Sequence, residues 1–153
     1  MALSPGMAAG VNDVLGHIER EIVISPNSCD LAHFHPDIDP TSIRKKHDWN
    51  EKKVFLHSGA MGKANGLDFI IDVAIKLREI REIHFVIIGE GKERARLLAR
   101  VSDEKLGNVE MLGSISKIDL PEYFSAADVS MVIFAKYPIL EWRMGYVSSV
   151  SQI

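Results

Sequence analysis

Paired cysteines, long apolar runs and an excess of charge of one sign are all missing from this sequence, and each absence narrows what the chain can do. Nowhere do eighteen apolar residues stand together, so no segment reads as a membrane-crossing helix. The opening Met1-Ala2-Leu3-Ser4-Pro5 has neither a basic stretch nor a long apolar core, and no secretory signal is read there. Cys29 is the single cysteine, which rules out an internal disulfide and makes a reducing, cytoplasmic setting the expectation. A net charge of -3 and a pI near 6.1 provide no field that would draw the chain onto nucleic acid, and no basic run is interleaved with aromatics. Internal repeats and low-complexity tracts are absent as well.

What is present is ordinary for a folded domain: 46% apolar and 25% charged residues in 153, enough for one main core. Short β-branched runs alternate with longer amphipathic stretches, the pattern of a parallel sheet covered by helices. Strands are predicted at 54–56, 85–88, 109–112 and 129–134, with a further one at Ile22-Val23-Ile24. Phe85 to Ile88 and Met131 to Phe134 are apolar throughout, as strands buried on both faces are. Leu67, Ile70, Ile71, Ala74 and Leu77 recur at helical spacing on a helix starting near Asn65. A second helix, about Lys92 to Lys105, puts Ala95, Leu98 and Val101 inward and Arg94, Arg96 and Arg100 toward solvent. A shorter helix follows Pro121, and 36–50 reads as a polar connector. The fold class expected is α/β, a Rossmann-like parallel sheet sandwiched by helices.

Two glycine-bearing turns follow predicted strands. His57-Ser58-Gly59-Ala60-Met61-Gly62-Lys63-Ala64-Asn65-Gly66 runs into a helix, where backbone N–H groups at the positive end of the dipole suit a phosphate; the same glycines also serve simply to turn the chain. Gly89-Glu90-Gly91-Lys92-Glu93-Arg94 opens the next helix as a partial dinucleotide fingerprint. Arg94 stands where a third small residue belongs, and Glu110 lies about twenty residues on, as a ribose-binding acid would. His33 and His35 near Cys29 and Asp30 are competent metal ligands, but closed zinc sites usually need four well-spaced ones, so an incidental surface loop is the reading preferred. Cys29 is read as a small apolar residue rather than a nucleophile.

Taken as an ordered set, these segments resemble family 4 retaining glycosyltransferases of the GT-B fold. Ser25-Pro26-Asn27-Ser28-Cys29-Asp30 with Phe34 and Pro36 is similar to the motif that opens their C-terminal, nucleotide-sugar-binding domain. The Gly59–Gly66 loop, the Gly89-Glu90-Gly91 turn with Arg94, the strand from Asn108 to Gly113, and Tyr123-Phe124-Ser125-Ala126-Ala127-Asp128 resemble the blocks that follow in order. Ala2 to Met7 and Gly62 to Asp68 look most like enzymes of capsule, O-antigen and colanic-acid synthesis. The resemblance covers most of the chain from Leu3 to Glu141 and ends there.

The resemblance implies a fragment of an enzyme that moves a sugar from a nucleotide-sugar donor, UDP-linked by preference, to a glycan or lipid-linked acceptor. It implies no cofactor, no obligatory metal and no catalytic residue within these segments. Donor contacts are implied at Gly59, Lys63, Asn65, Gly89, Glu90, Gly91, Arg94, Gly113, Ser114, Ile115, Ser116 and Glu141, with the base near Gly113 to Ser116. The family's basic pair in the first loop is replaced by Ala60 and Asn65, leaving Lys63 as the loop's cation, and Ser149 stands where a second acid is usual. The division expected is 1–16 as the end of an acceptor-binding N-terminal lobe, 17–141 as an incomplete donor domain and 142–153 as an atypical tail. Such a parent enzyme would work in the cytoplasm, at the inner face of the membrane, and the fragment alone would transfer nothing. Two rival classes remain: an NAD-type oxidoreductase domain binding at Gly89 to Glu110, and a non-catalytic interaction module.

Overall fold

The computed structural model describes residues 1–16 and 21–135. They belong to two compact units, one within Met1–Asp30 and one spanning Leu31–Ala135. In the first, Ser4 accepts a hydrogen bond from the Met7 N–H at 3.2 Å and Pro5 takes the first helical position, so helix α1 (Pro5–Leu15) begins where both residue types favour a start. Ala2 and Ile24 meet in a parallel bridge, Ala2 N–H donating to Val23 O at 2.9 Å and Ser25 N–H to Ala2 O at 2.8 Å. The strand expected at Ile22-Val23-Ile24 is reduced to that bridge.

The second unit runs in the order α2 (Thr41–Lys46), β1 (Lys53–Ser58), a 3-10 turn (Lys63–Asn65), α3 (Asp68–Lys76), β2 (Ile83–Ile88), α4 (Arg94–Asp103), β3 (Val109–Leu112), α5 (Leu120–Ala126) and β4 (Val129–Ser130). The strands form one parallel sheet in the order β3-β2-β1-β4. Side chains alternate across it with the period of two that a pleated strand imposes. Phe85 and Ile87 face a core with Ile70, Ile71 and Ala74 of α3 and Leu97 of α4. Val54, Leu56, Val86 and Ile88 face the other, with Ile43 of α2 and Tyr123 and Ala126 of α5. The expected α/β sandwich is therefore the observed one. Because successive strands leave β1 on one side and β4 joins it on the other, the order reverses between β1 and β4, the place where open sheets leave a crevice.

Several local expectations are corrected. The connector at 36–50 contains α2 and the fully buried Trp49, whose ring completes the second core together with the side chain of Ile43. Helix α4 starts at Arg94 and buries Leu97, while Ala95 is exposed; the larger leucine, with Val101 one turn on, takes the inward face. Arg94 is half-buried rather than solvent-facing. Strand β4 is two residues long instead of reaching Phe134: Met131 N–H still donates to Leu56 O at 2.7 Å, but Ala135 N–H then bonds Ala64 O at 2.8 Å, away from the ladder.

Polar side chains fasten these pieces. Arg44 donates to the carbonyls of Ala126, Trp49 and Lys52, each at 2.7 Å, tying α2 to α5 and to the entry of β1. Asp128 accepts the Val54 N–H at 2.8 Å and lies 3.3 Å from the Lys53 ammonium and 3.4 Å from Arg44. Burial alone would raise the Asp128 carboxyl, yet those donors outweigh it and hold it below its usual value.

Glu110 serves three side chains at once. His47 Nδ1 lies 2.7 Å from its Oε1, Trp49 Nε1 donates to Oε2 at 3.0 Å, and His84 Nε2 stands 3.5 Å from Oε2. His47 stacks on Trp49 at 4.7 Å between ring centroids. Burial pushes the Glu110 carboxyl up, but the His84, His47 and Trp49 groups around it bring it down to about 2 from 4.5. Its stabilising contribution is accordingly full above pH 4.5 and is lost as pH falls through about 2. Glu110→Gln, which keeps the shape without the charge, is expected to lower unfolding free energy at pH 7 by about 1–3 kcal/mol, the value of a hydrogen-bonded charge. In urea melts that gap should narrow at pH 3; a gap unchanged between the two pH values would contradict the assignment.

Candidate functional site

Strands β1, β2 and β3 end at Ser58, Ile88 and Leu112, and the next residue in each case is glycine: Gly59, Gly89 and Gly113. All three strands are parallel, and Ser58 and Leu112 both stand opposite Ile88, so the three glycines leave the same, carboxyl edge of the sheet. This is the placement the sequence implied for them. Open α/β sheets bind ligands beyond this edge.

The loops after β1 and β2 are locked to one another through backbone. Gly59 N–H donates to Ile88 O at 3.0 Å, Met61 N–H to Glu90 O at 2.8 Å and Glu93 N–H to Met61 O at 3.0 Å. A Cβ on residue 89 would stand 2.0 Å from Gly59 O, and one on residue 91 would stand 2.4 Å from Met61 O; both glycines also have positive φ, 137° and 157°. Their lack of a side chain thus admits the neighbouring loop, a use the sequence had assigned to a ligand. Met61 is fully buried and anchors the first loop in the α3-side core.

Around this locked backbone the implied donor residues fall into different situations. Lys63 is exposed in the 3-10 turn and forms no ion pair among the described residues. Asn65 closes the same turn, half-buried. Glu90 is exposed; its Oε1 lies 3.4 Å from Arg94 Nε and close beside Gly113, at 3.1 Å from the position of a Cβ there. Arg94 opens α4; neither that helix nor α3 has a side-chain cap, and the Phe69, Ile70 and Arg94 N–H groups donate instead to Gly66 O, Leu67 O and Gly91 O. Ser114 is exposed, whereas Ile115 packs into the second core. Ser116 is committed to the start of α5: its hydroxyl donates to Asp119 Oδ2 at 2.7 Å and accepts from Asp119 N–H at 3.1 Å. Glu141 and 142–153 lie outside the described residues.

Glu110 does not belong to this edge. It pairs with Val86, two residues short of the Ile88–Leu112 pair, and its carboxylate is taken by His47 and Trp49. The ribose-binding role that an NAD-type reading requires of it is therefore corrected to a structural one. Among the described residues no group of three or more His, Cys, Asp or Glu side chains is placed to hold a metal. Cys29 is exposed, and His33 Nε2 lies 2.9 Å from Lys117 O.

One residue of the edge was read only as part of the glycine loop. His57 is 4% exposed, on the α3 side of β1, with Nδ1 3.2 Å from Met131 O. A carbonyl only accepts, so Nδ1 carries the proton and Nε2 is bare. Nε2 is buried without a partner among the described residues, 3.3 Å from where a Cβ on residue 59 would stand. Burial pushes the imidazole below its usual 6.5, partly offset by the Met131 bond. The signal available in the sequence was a lone ionisable residue inside an apolar strand.

The family model of glycosyl transferases group 1 matches residues 39–134. A protein named for colanic acid biosynthesis, the glycosyl transferase WcaI of Escherichia coli (strain K12), is 29% identical over 121 residues, covering 77% of this chain and 30% of its own length. Among solved structures, Anabaena HepE in complex with UDP-glucose superposes with a TM-score of 0.71 at 18% identity, over 84% of this chain and 36% of its own. WaaG, a glycosyltransferase involved in lipopolysaccharide biosynthesis, gives 0.69 at 18% identity, over 89% and 38%. The chain spans about a third of the length of these relatives.

The contrast between two of the edge glycines is open to measurement. Gly89→Ala, which forces a Cβ onto a carbonyl at positive φ, is expected to destabilise the fold by about 3 kcal/mol or more, or to prevent folding. Gly113→Ala would meet only the movable end of Glu90 and should change stability by about 1 kcal/mol or less. Equal losses in denaturation experiments would refute the interlock.

Proposed function

Since the chain belongs to the glycosyl transferases group 1 family, we propose that its carboxyl-edge loops hold the nucleotide diphosphate of a sugar donor, with UDP as the preferred nucleotide. The observation that carries this reading is the alignment of Gly59, Gly89 and Gly113 on one edge, beside the starts of α3 and α4. A diphosphate there faces backbone N–H groups with the Lys63 ammonium free beside it. HepE, solved with UDP and with UDP-glucose, supports UDP as the nucleotide. WcaI, named for colanic acid biosynthesis, supports cell-surface polysaccharide as the product class.

In the transfer step the bond between the anomeric carbon and the diphosphate oxygen breaks, and negative charge grows on the departing diphosphate. Fixed backbone donors and Lys63 stabilise that charge with no reorganisation at the moment of reaction. Arg94, at the start of α4 with Glu90 against it, adds a second positive group to the same edge. The base is proposed to lie along Gly113 and Ser114, since Ile115 and Ser116 have structural duties. The acceptor, glycan or lipid-linked, is proposed to be brought by the rest of a longer enzyme working in the cytoplasm at the membrane face. No helix among the described residues is long and apolar enough to cross a membrane.

Calorimetric titration of the chain with UDP, GDP and NAD tests the reading. UDP is expected to bind most tightly. Lys63→Ala should weaken UDP about tenfold, the value of one charge-assisted contact. Lys46→Ala should leave it unchanged, because that ammonium lies over the Tyr123 ring on the other face. Tighter binding of NAD or GDP, or equal losses from the two lysine variants, would defeat the assignment.

A further inference from the structure

We propose that His57 is a positioning residue for the donor loop: its neutral ring seats Gly59 in the conformation that receives the diphosphate, and its protonation displaces that loop. The inference rests on the donor-site reading above and adds a residue and a pH dependence to it.

Three observations carry it. His57 lies under the reversal point of the sheet, bridging β1 to the chain leaving β4 through Met131 O at 3.2 Å. Its Nε2 is buried and unpartnered, in contact with the Cα face of Gly59. Gly59 cannot move alone, because its N–H is bonded to Ile88 O, its carbonyl abuts Gly89, and Met61 two residues on is bonded to Glu90 O. An unpartnered buried ring nitrogen is uncommon and calls for a reason. In the neutral tautomer the bare Nε2 tolerates an apolar neighbour. In the imidazolium both nitrogens are donors, and the new N–H lies against Gly59 with no hydrogen-bond partner among the described residues. Water or a carbonyl must then approach, and the wall that Nε2 faces is the Gly59 loop.

The acidic groups of the neighbouring elements already have partners, Glu90 in the adjoining loop lying 3.4 Å from Arg94. Asp68 and Asp72 of α3 are taken by Arg96 and Arg100 of α4. Asp128, before β4, is held at the amino end of β1 by Val54 N–H, Lys53 and Arg44. Lys63 in the loop itself carries the same sign as the imidazolium would. His57 has no ion-pair partner among the described residues, and its burial already disfavours the charged ring.

The test uses UDP-glucose, whose diphosphate does not titrate near neutral pH, so any response belongs to the protein. A protonation that blocks binding halves affinity at the pKa of the imidazole and lowers it about tenfold per pH unit below that, so affinity for the full chain is expected to fall between pH 7.5 and pH 5. His57→Phe, a flat ring with nothing to protonate, should bind with the same affinity at both pH values. In the chain without nucleotide, ring 15N shifts should place the His57 proton on Nδ1 at pH 7.5. The amides of Gly59, Gly89 and Gly91 should then shift together with its protonation, a readout that survives even if the variant does not fold. A proton on Nε2, glycine amides that ignore the imidazole, tighter binding in acid, or an unchanged pH profile in His57→Phe would each overturn the proposal. Failure of UDP-glucose to bind at any pH would count against the donor site, while the ligand-free titration would still decide whether His57 positions the loop.

Discussion

Parallel pairing of β1 with β2 runs unbroken from Lys53 opposite Ile83 to Ser58 opposite Ile88, and the arrangement of the carboxyl edge follows from where it stops. β3 joins so that Leu112 also stands opposite Ile88. Three chains therefore reach the edge level with one another, each with glycine as its next residue. Because side chains alternate along a strand, a slip of one residue would turn Val54 and Leu56 out of the second core and set Gly59 out of step with Gly89. Core packing and site geometry are fixed by the same register. The backbone contact of Gly59 with Gly89 adds a second condition, since only glycine at 89 lets the two loops close together.

Much of this was legible because it rests on pattern. Continuous apolar runs gave β2, three- and four-residue spacing gave α3, and glycines after strands gave the edge. The errors share a cause, which is that local pattern does not report what a distant partner will cover. The stretch from 36 to 50 is polar in composition, yet Ile43 and Trp49 are buried because α5 and β3 lie over them, and Glu110 supplies the indole with its acceptor from sixty-one residues away in sequence. In α4 the small Ala95 and the large Leu97 both fit an apolar stripe, and only the presence of α3 and β2 decides that leucine faces inward. At β4 the run Met131 to Phe134 is apolar enough for a strand, but the loop at Ala64 captures the backbone of Ala135 first.

The site was legible in outline and misjudged in detail for a related reason. Glycine in a turn announces close backbone approach without saying what approaches. At 89 and 91 the visitor is the adjoining loop, through Gly59 O and Met61 O. Glu110 sat at the sequence distance of a ribose-binding acid, yet distance along the chain says nothing of height along the strand. Placed two residues below the edge, that carboxylate answers two imidazoles and an indole instead.

Polar side chains fasten the amino and middle parts of the sheet through shared partners. Arg44 closes three carbonyls, and Asp128 and Glu110 each serve several donors, so the amino and middle parts are fastened by groups that are paired in the folded state. The buried atoms left over are few: Asn108 Oδ1, His84 Nε2, Arg94 Nε and His57 Nε2. Asn108 is still held through its amide on Ala74 O at 3.0 Å, and His84 and Arg94 each have a carboxylate within 3.5 Å. The bare nitrogen of His57 has no such partner among the described residues and lies against Gly59. For stability alone, an apolar ring at that position would avoid the penalty of an unmet buried acceptor, since the surrounding strand and helix are already apolar. A local choice that runs against the packing rules elsewhere obeyed by the sheet, directly beneath the loop that faces the ligand edge, is where departures from stability are expected to reflect function.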